Sequence, residues 1–112
     1  MPRRASELVV IYWRDIPAQV NARAAGEKRQ FPLPRRFQRA IDDAAMVAGK
    51  KTASEYVGEW RRAAVPLPND ADGVTRAVEE EAERLDAAFS RERLQELVAN
   101  GGWDPTGAES HP

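Results

Sequence analysis

Trp13-Arg14-Asp15 and Trp60-Arg61-Arg62 are two places in this 112-residue chain where residue types suited to recognition stand side by side. Tryptophan offers a large apolar face and arginine a planar fork of donors that matches carboxylate and phosphate oxygens. Both types dominate the energetic centres of protein interfaces. The first pair lies in the run Ile11-Tyr12-Trp13-Arg14-Asp15-Ile16-Pro17-Ala18-Gln19-Val20. An apolar segment ends there on an aromatic pair, an Arg-Asp couple and a proline, whereas turning alone is met by Gly, Asn or Ser. The chemistry this offers is binding. Arg14, Asp15, Gln19 and Arg23 are candidate polar readers, and Trp13, Trp60 and Arg61 form one aromatic-basic patch if their segments are neighbouring strands or share a sheet end.

Residues that could run a reaction are poorly placed for it. His111 is the only histidine and stands next to last, whereas a catalytic base must be held within hydrogen-bond reach of its target. Asp42-Asp43 and Glu79-Glu80-Glu81 are adjacent on helical patterns, so their carboxylates fan out instead of converging. All five are expected on solvated faces, opposite the apolar stripes. Without cysteine there is no disulfide, thiolate nucleophile or zinc-cysteine site. A basic group, Arg14, Arg23, Lys28, Arg29, Arg35, Arg36 and Arg39, suits anions, and the Pro34-Arg35-Arg36 helix start adds backbone donors. No Gly-rich phosphate loop, zinc finger or paired aromatic signature of an RNA-binding sheet accompanies it. The reading is therefore non-catalytic, with no metal or cofactor and no nucleic acid.

The elements that must carry these residues read as an α+β domain. Glu7 to Trp13 is almost continuously apolar and β-branched or aromatic, the pattern of a central strand buried on both faces. After a turn at Ile16-Pro17, Gln19 to Arg23 alternates as a half-exposed strand. Gly26-Glu27 turns, and Lys28 to Phe31 returns, with Arg23, Lys28 and Arg29 toward solvent. Pro34 suits the first position of a helix whose stripe is Phe37, Ile41, Ala44, Ala45 and Ala48, with Gly49 as a left-handed cap.

Residues 52–67 carry two signals. Thr52-Ala53-Ser54-Glu55 has the form of a capping box, and Tyr56 with Trp60 suits a short helix. Against that, Tyr56, Gly58 and Trp60 also share one strand face, and an extended segment over 56–65 ending at Pro66 and Pro68 is preferred. Asp70 or Asp72 can cap an acidic helix near 72–89 with Val74, Val78, Ala82, Leu85 and Phe89 inward and Glu79-Glu80-Glu81, Glu83 and Asp86 outward. Ser90 caps a short helix using Leu94, Leu97 and Val98, ended by Asn100-Gly101-Gly102. Residues 1–6 are expected to be disordered, 7–102 to form one domain and 103–112 to be a mobile tail.

The length fits one self-sufficient core. The net charge of −1 conceals a dipole: residues 1–65 hold 13 Lys/Arg against 7 Asp/Glu, and residues 66–112 hold 4 against 11. Either a basic binding surface or an acidic helix laid over a basic sheet within one monomer explains it. The apolar run Leu8–Trp13 is too short for a signal peptide or a membrane span, so a soluble cytoplasmic protein without membrane attachment is expected.

The string from Ile11 to Val20, with Lys28-Arg29, Phe37-x3-Ile41-Asp42-x-Ala44-Ala45-Met46, Tyr56-x3-Trp60-Arg61 and Glu81-Ala82-Glu83-Arg84-Leu85, resembles the virulence factor domain family of small bacterial proteins. That domain also occurs at an end of the larger conserved virulence factor C proteins. The resemblance spans about residues 7–100, and Trp-Arg-Asp-Ile-Pro-Ala-Gln-Val is its specific part. It implies no reaction and carries over no catalytic residue. Stand-alone members resemble neighbours of folate- and corrinoid-dependent one-carbon genes, which implies an accessory subunit with a one-carbon enzyme as protein partner.

The sequence thus predicts a small, mainly antiparallel sheet packed against two or three helices, acting as a protein-interaction or accessory-subunit domain. The alternative is a small-anion or small-ligand binding protein, or a subunit completing an active site, with Arg14, Asp15, Gln19 and Arg23 as readers.

Overall fold

A seven-residue apolar strand, β1 (Glu7–Trp13), occupies the interior of the sheet, as its composition requires. The structure, a computed structural model, describes residues 7–24, 27–50, 52–65 and 73–105. β2 (Ile16–Ala24), β3 (Glu27–Pro32) and β4 (Trp60–Val65) complete an antiparallel sheet in the order β3-β2-β1-β4. Helices α1 (Arg35–Val47), α2 (Ala53–Val57), α3 (Gly73–Ala88) and α4 (Arg91–Ala99) complete the described elements. The fold is α+β. Residues 1–6, Gly26, the capping candidates Asp70 and Asp72, and the tail beyond Pro105 lie outside the described residues.

The first turn differs from the expected one. It is Arg14-Asp15, and Ile16-Pro17 already belongs to β2. Pro17 is tolerated there because the register skips a residue, Ile11 pairing with Gln19 and Tyr12 with Pro17, so that Ala18 is the extra member of a bulge. Proline read as a turn signal was in fact a bulge signal.

Helices α1 and α3 both pack on β2, and α1 also packs on α4. The buried cluster joins Leu8, Val10, Val20 and Ala22 to Phe37, Ile41, Leu85 and Leu97 but leaves out Val9, so strand alternation separates a helix-covered face from its opposite. In α1 the buried residues are Phe37, Ala40, Ile41, Ala44 and Ala45. Pro34 is the N-cap, one place before its expected position, and Gly49 takes φ +75° after the helix.

Segment 52–65 is both things the sequence suggested, in series. Thr52 and Glu55 form the capping box, with Glu55 N donating to Thr52 Oγ1 at 3.2 Å and Thr52 N to Glu55 Oε1 at 3.3 Å. Gly58 ends α2 as its C-cap, and the strand starts only at Trp60. The preference for an extended segment from residue 56 is corrected accordingly.

The acidic helix α3 buries Val78, Ala82 and Leu85, and Glu81 as well, which was expected outside. Its carboxylate is held by Nε and Nη2 of Arg84 one turn on, and that pairing permits burial. Ser90 caps α4 by accepting from Arg93 N at 3.1 Å.

Candidate functional site

The β1–β4 register sets Trp13 opposite Trp60 and Tyr12 opposite Arg61, so the two aromatic-arginine segments are neighbours in the sheet. They do not make the open patch that neighbourhood suggested. Trp13 is 0% exposed; its Nε1 donates to the Tyr56 carbonyl at 2.8 Å and its ring stacks on Tyr56 at 5.6 Å. Trp60 is half-buried, edge-on to Tyr56 at 5.9 Å.

Arg14 is turned inward too. It has φ +54°, a left-handed value that few residues other than glycine adopt. The surroundings hold it there: its N–H donates to Glu59 O at 3.1 Å, and Nη1 donates to Gly101 O at 2.9 Å. The guanidinium lies between the rings of Trp13, 5.3 Å away, and Trp103, 4.9 Å away. Its Nε sits 3.2 Å from Glu59 Oε1, an ion-pair distance with the N–H angled off the hydrogen-bond line. Contact with this guanidinium, with Lys50 adding to it, holds the Glu59 carboxyl below its ordinary value. Arg14, expected as a polar reader facing a ligand, is instead engaged within the fold.

Asp15, 4% exposed, closes the other side of the turn. Its N–H donates to Gly102 O at 2.9 Å, and its carboxylate accepts from Asp104 N at 2.6 Å and Arg61 Nη2 at 3.1 Å. Arg61 also donates through Nε to Arg14 O at 2.9 Å and lies 4.5 Å over the Tyr12 ring. Trp103 and Asp104 are therefore part of the packed domain, which runs two residues past the expected boundary at 102. The sequence reading missed Glu59, Gly101, Gly102, Trp103 and Asp104. A signal existed in Trp103, because a tryptophan contributes a large buried area wherever it docks and is out of place in a mobile tail.

Arg61 also borders a partly open pocket of about 360 Å³ between the sheet and α3/α4, shared with Tyr12, Asp15, Arg84, Phe89, Arg93 and Asp104. Arg93 is held by Asp104 at 2.7 Å and Glu96 at 2.9 Å; these contacts, that to Asp104 foremost, raise its already high pKa. Gln19 and Arg23 are not brought to this pocket. They project from the opposite sheet face, where Gln19 Nε2 donates to Asn21 Oδ1 at 2.8 Å and Arg23 borders a shallow hollow of about 160 Å³.

A third feature is a groove of about 530 Å³ between α1 and α4. Arg36 at its edge is satisfied internally, donating to the Asp86 carboxylate and to the carbonyls of Asp86 and Phe89 at the end of α3. Arg35, Arg39 and Arg91 are exposed along the groove, and none makes an ion pair among the described residues. Among those residues, no three of His, Cys, Asp or Glu gather where they could hold a metal ion, and no helix is long and apolar enough to cross a membrane.

A family model described as virulence factor matches residues 11–98, most of the chain. The chain belongs to this virulence factor family. No curated protein and no solved structure matches it. The family match takes in Trp13, Arg14, Asp15, Trp60 and Arg61 and ends at Val98, before the Gly101–Asp104 segment that holds the turn.

Proposed function

We propose that this virulence factor domain is a non-catalytic protein-interaction module, an accessory subunit that recognises an acidic partner. The observation that carries the reading is how its charges are divided. Asp15, Glu81 and Asp104 are buried in pairs with arginines, whereas Arg35, Arg39 and Arg91 are exposed and form no ion pair among the described residues. Uncompensated arginines at a surface steer and anchor anionic partners. The genomic setting that the family resemblance suggests makes a folate- or corrinoid-dependent one-carbon enzyme the partner to test, in the cytoplasm. Co-expression of the chain with the products of its neighbouring genes tests the reading. A stoichiometric complex that dissociates as salt is raised supports it, and a chain that elutes alone at low salt removes it.

The partly open pocket bounded by Arg61, Arg84 and Arg93, with Asp15 and Asp104 also in its wall, favours a second reading, a site for a small anion that would share these arginines with their carboxylate partners. Such a ligand at 100 times its dissociation constant adds about 2.7 kcal/mol to stability. Phosphate and small dicarboxylates screened by thermal unfolding decide it, since an unchanged melting temperature in all of them rules it out.

A further inference from the structure

We propose that the groove between α1 and α4 is the docking site for an acidic amphipathic helix of a partner protein. The proposal rests on the interaction reading above and specifies its surface and the chemistry of the partner. Two rows of side chains define the groove. On α1, Arg35, Arg39 and Asp43 follow one another at intervals of four residues, each about one helical turn from the next. On α4, Arg91 is followed by Leu94 and Val98 at three and seven residues, the spacing of one helix face. The groove thus presents three arginines toward one end, a single carboxylate toward the other end of the α1 row, and an aliphatic floor whose open surface comes from half-buried Val98, Leu94 being only 4% exposed beneath it.

Charge decides the class of occupant. Asp43 stands one turn from Arg39, yet the two form no ion pair, and Arg36 next to Arg35 is the one arginine of the cluster that an internal carboxylate satisfies. The groove therefore keeps an excess of positive charge that the described part of the chain does not neutralise. A nucleic-acid backbone would use the arginines but not the apolar surface at Val98, whereas an amphipathic helix uses both, its carboxylates on the arginines and its apolar stripe over Val98. Asp43 adds polarity, because a helix bearing a cation at one end is accepted better in one direction than reversed.

The test is titration of the isotope-labelled full chain, followed by amide chemical shifts, with a short synthetic amphipathic helix of glutamate and leucine. Two further probes are the same peptide with alanine in place of leucine and a single-stranded RNA oligonucleotide. Shifts should centre on Arg35, Arg39, Arg91 and Val98, with the alanine peptide binding at least tenfold more weakly. The pair Arg39→Glu with Arg91→Glu should weaken the leucine peptide tenfold or more, and Arg76→Glu, at an exposed arginine of α3 outside the groove, should leave it unchanged. Arg39→Ala with Arg91→Ala serves if charge reversal impairs folding. Shifts centred elsewhere, equal binding of the alanine peptide, preference for RNA, or concentration-dependent shifts of the free chain at these residues each overturn the proposal. If shifts centre elsewhere while a co-expressed partner is still retained, the groove falls and the interaction reading stands. Peptide binding in the groove without any retained partner leaves the converse.

Discussion

The carboxylate of Asp15 accepts the backbone N–H of Asp104 at 2.6 Å, joining the first hairpin turn to a residue 89 positions later. The same carboxylate holds Arg61 of the edge strand, so three distant segments meet on one buried side chain. Asp15→Ala is expected to cost about 1–3 kcal/mol, the cost of leaving buried donors without an acceptor. Asp15→Asn keeps an acceptor oxygen and should cost less. Urea unfolding of the two variants against the parent chain measures both, and an Asn variant as unstable as the Ala variant would show that charge, not the hydrogen bond, matters.

Arg14 and Gln19 should now separate. Arg14→Ala removes the Gly101 hydrogen bond and the Glu59 ion pair while keeping a side chain at φ +54°, so it should lower stability by about 1–3 kcal/mol. Arg14→Gly loses the same contacts but relieves the backbone, and should be more stable than the alanine variant. Gln19→Ala removes only a local bond to Asn21 and should stay within about 0.5 kcal/mol of the parent. Thermal melts rank the three.

Shortened chains locate the domain edge. Ending the chain after Pro105 keeps every contact described for Trp103 and Asp104 and should leave the melting temperature in place. Ending it after Gly102 removes the Trp103 ring from Arg14 and both Asp104 anchors, and should lower it markedly. Equal melting temperatures for the two would place the edge at Gly102.

The helix-on-sheet core is tested at Ile41, which is fully buried beside Phe37. Ile41→Ala should destabilise by about 2–5 kcal/mol through lost transfer energy and the cavity left behind. Chemical denaturation reads the change directly.

Acid stability should report on Glu59. Because Arg14 lowers its carboxyl below the ordinary value in the folded chain, the ionised form favours folding. That contribution is complete above the unfolded-state pKa and disappears as the pH drops through the lower folded-state one. The stability gap between the parent chain and Glu59→Gln should therefore shrink from neutral pH to about pH 3, as urea midpoints across the range would record.

Elements whose logic is local were legible in the sequence. The Phe37–Ile41–Ala44 stripe and the left-handed Gly49, the Ser90 cap, and the buried character of Leu8–Val10 each depend on neighbours a few residues away. Arg14 was misread for the opposite reason. A positive φ at an arginine is favoured by nothing nearby, and its partners, Glu59, Gly101 and Trp103, lie 45 to 89 residues along the chain. Glu81 inverted its expected side because the carboxylate has Arg84 at hand, a pairing that hydrophobic periodicity does not weigh. The candidate groove was half visible: Arg35, Arg36 and Arg39 stood out, but Arg91 joins them only because α4 packs against α1.

The left-handed arginine also bears on how the chain reaches its native state. A hairpin closed by glycine or Asn-Gly can form early, on local preference alone. This one spends free energy at Arg14 that Glu59, Arg61 and Gly101–Asp104 return, so the peptide spanning β1 and β2 should not hold its turn in isolation. During synthesis the turn is then expected to gain its full set of contacts only once residues 101–104 have left the ribosomal tunnel. Its last anchors join the first hairpin to the C-terminal end of the domain, so the two halves of the chain depend on each other for this turn.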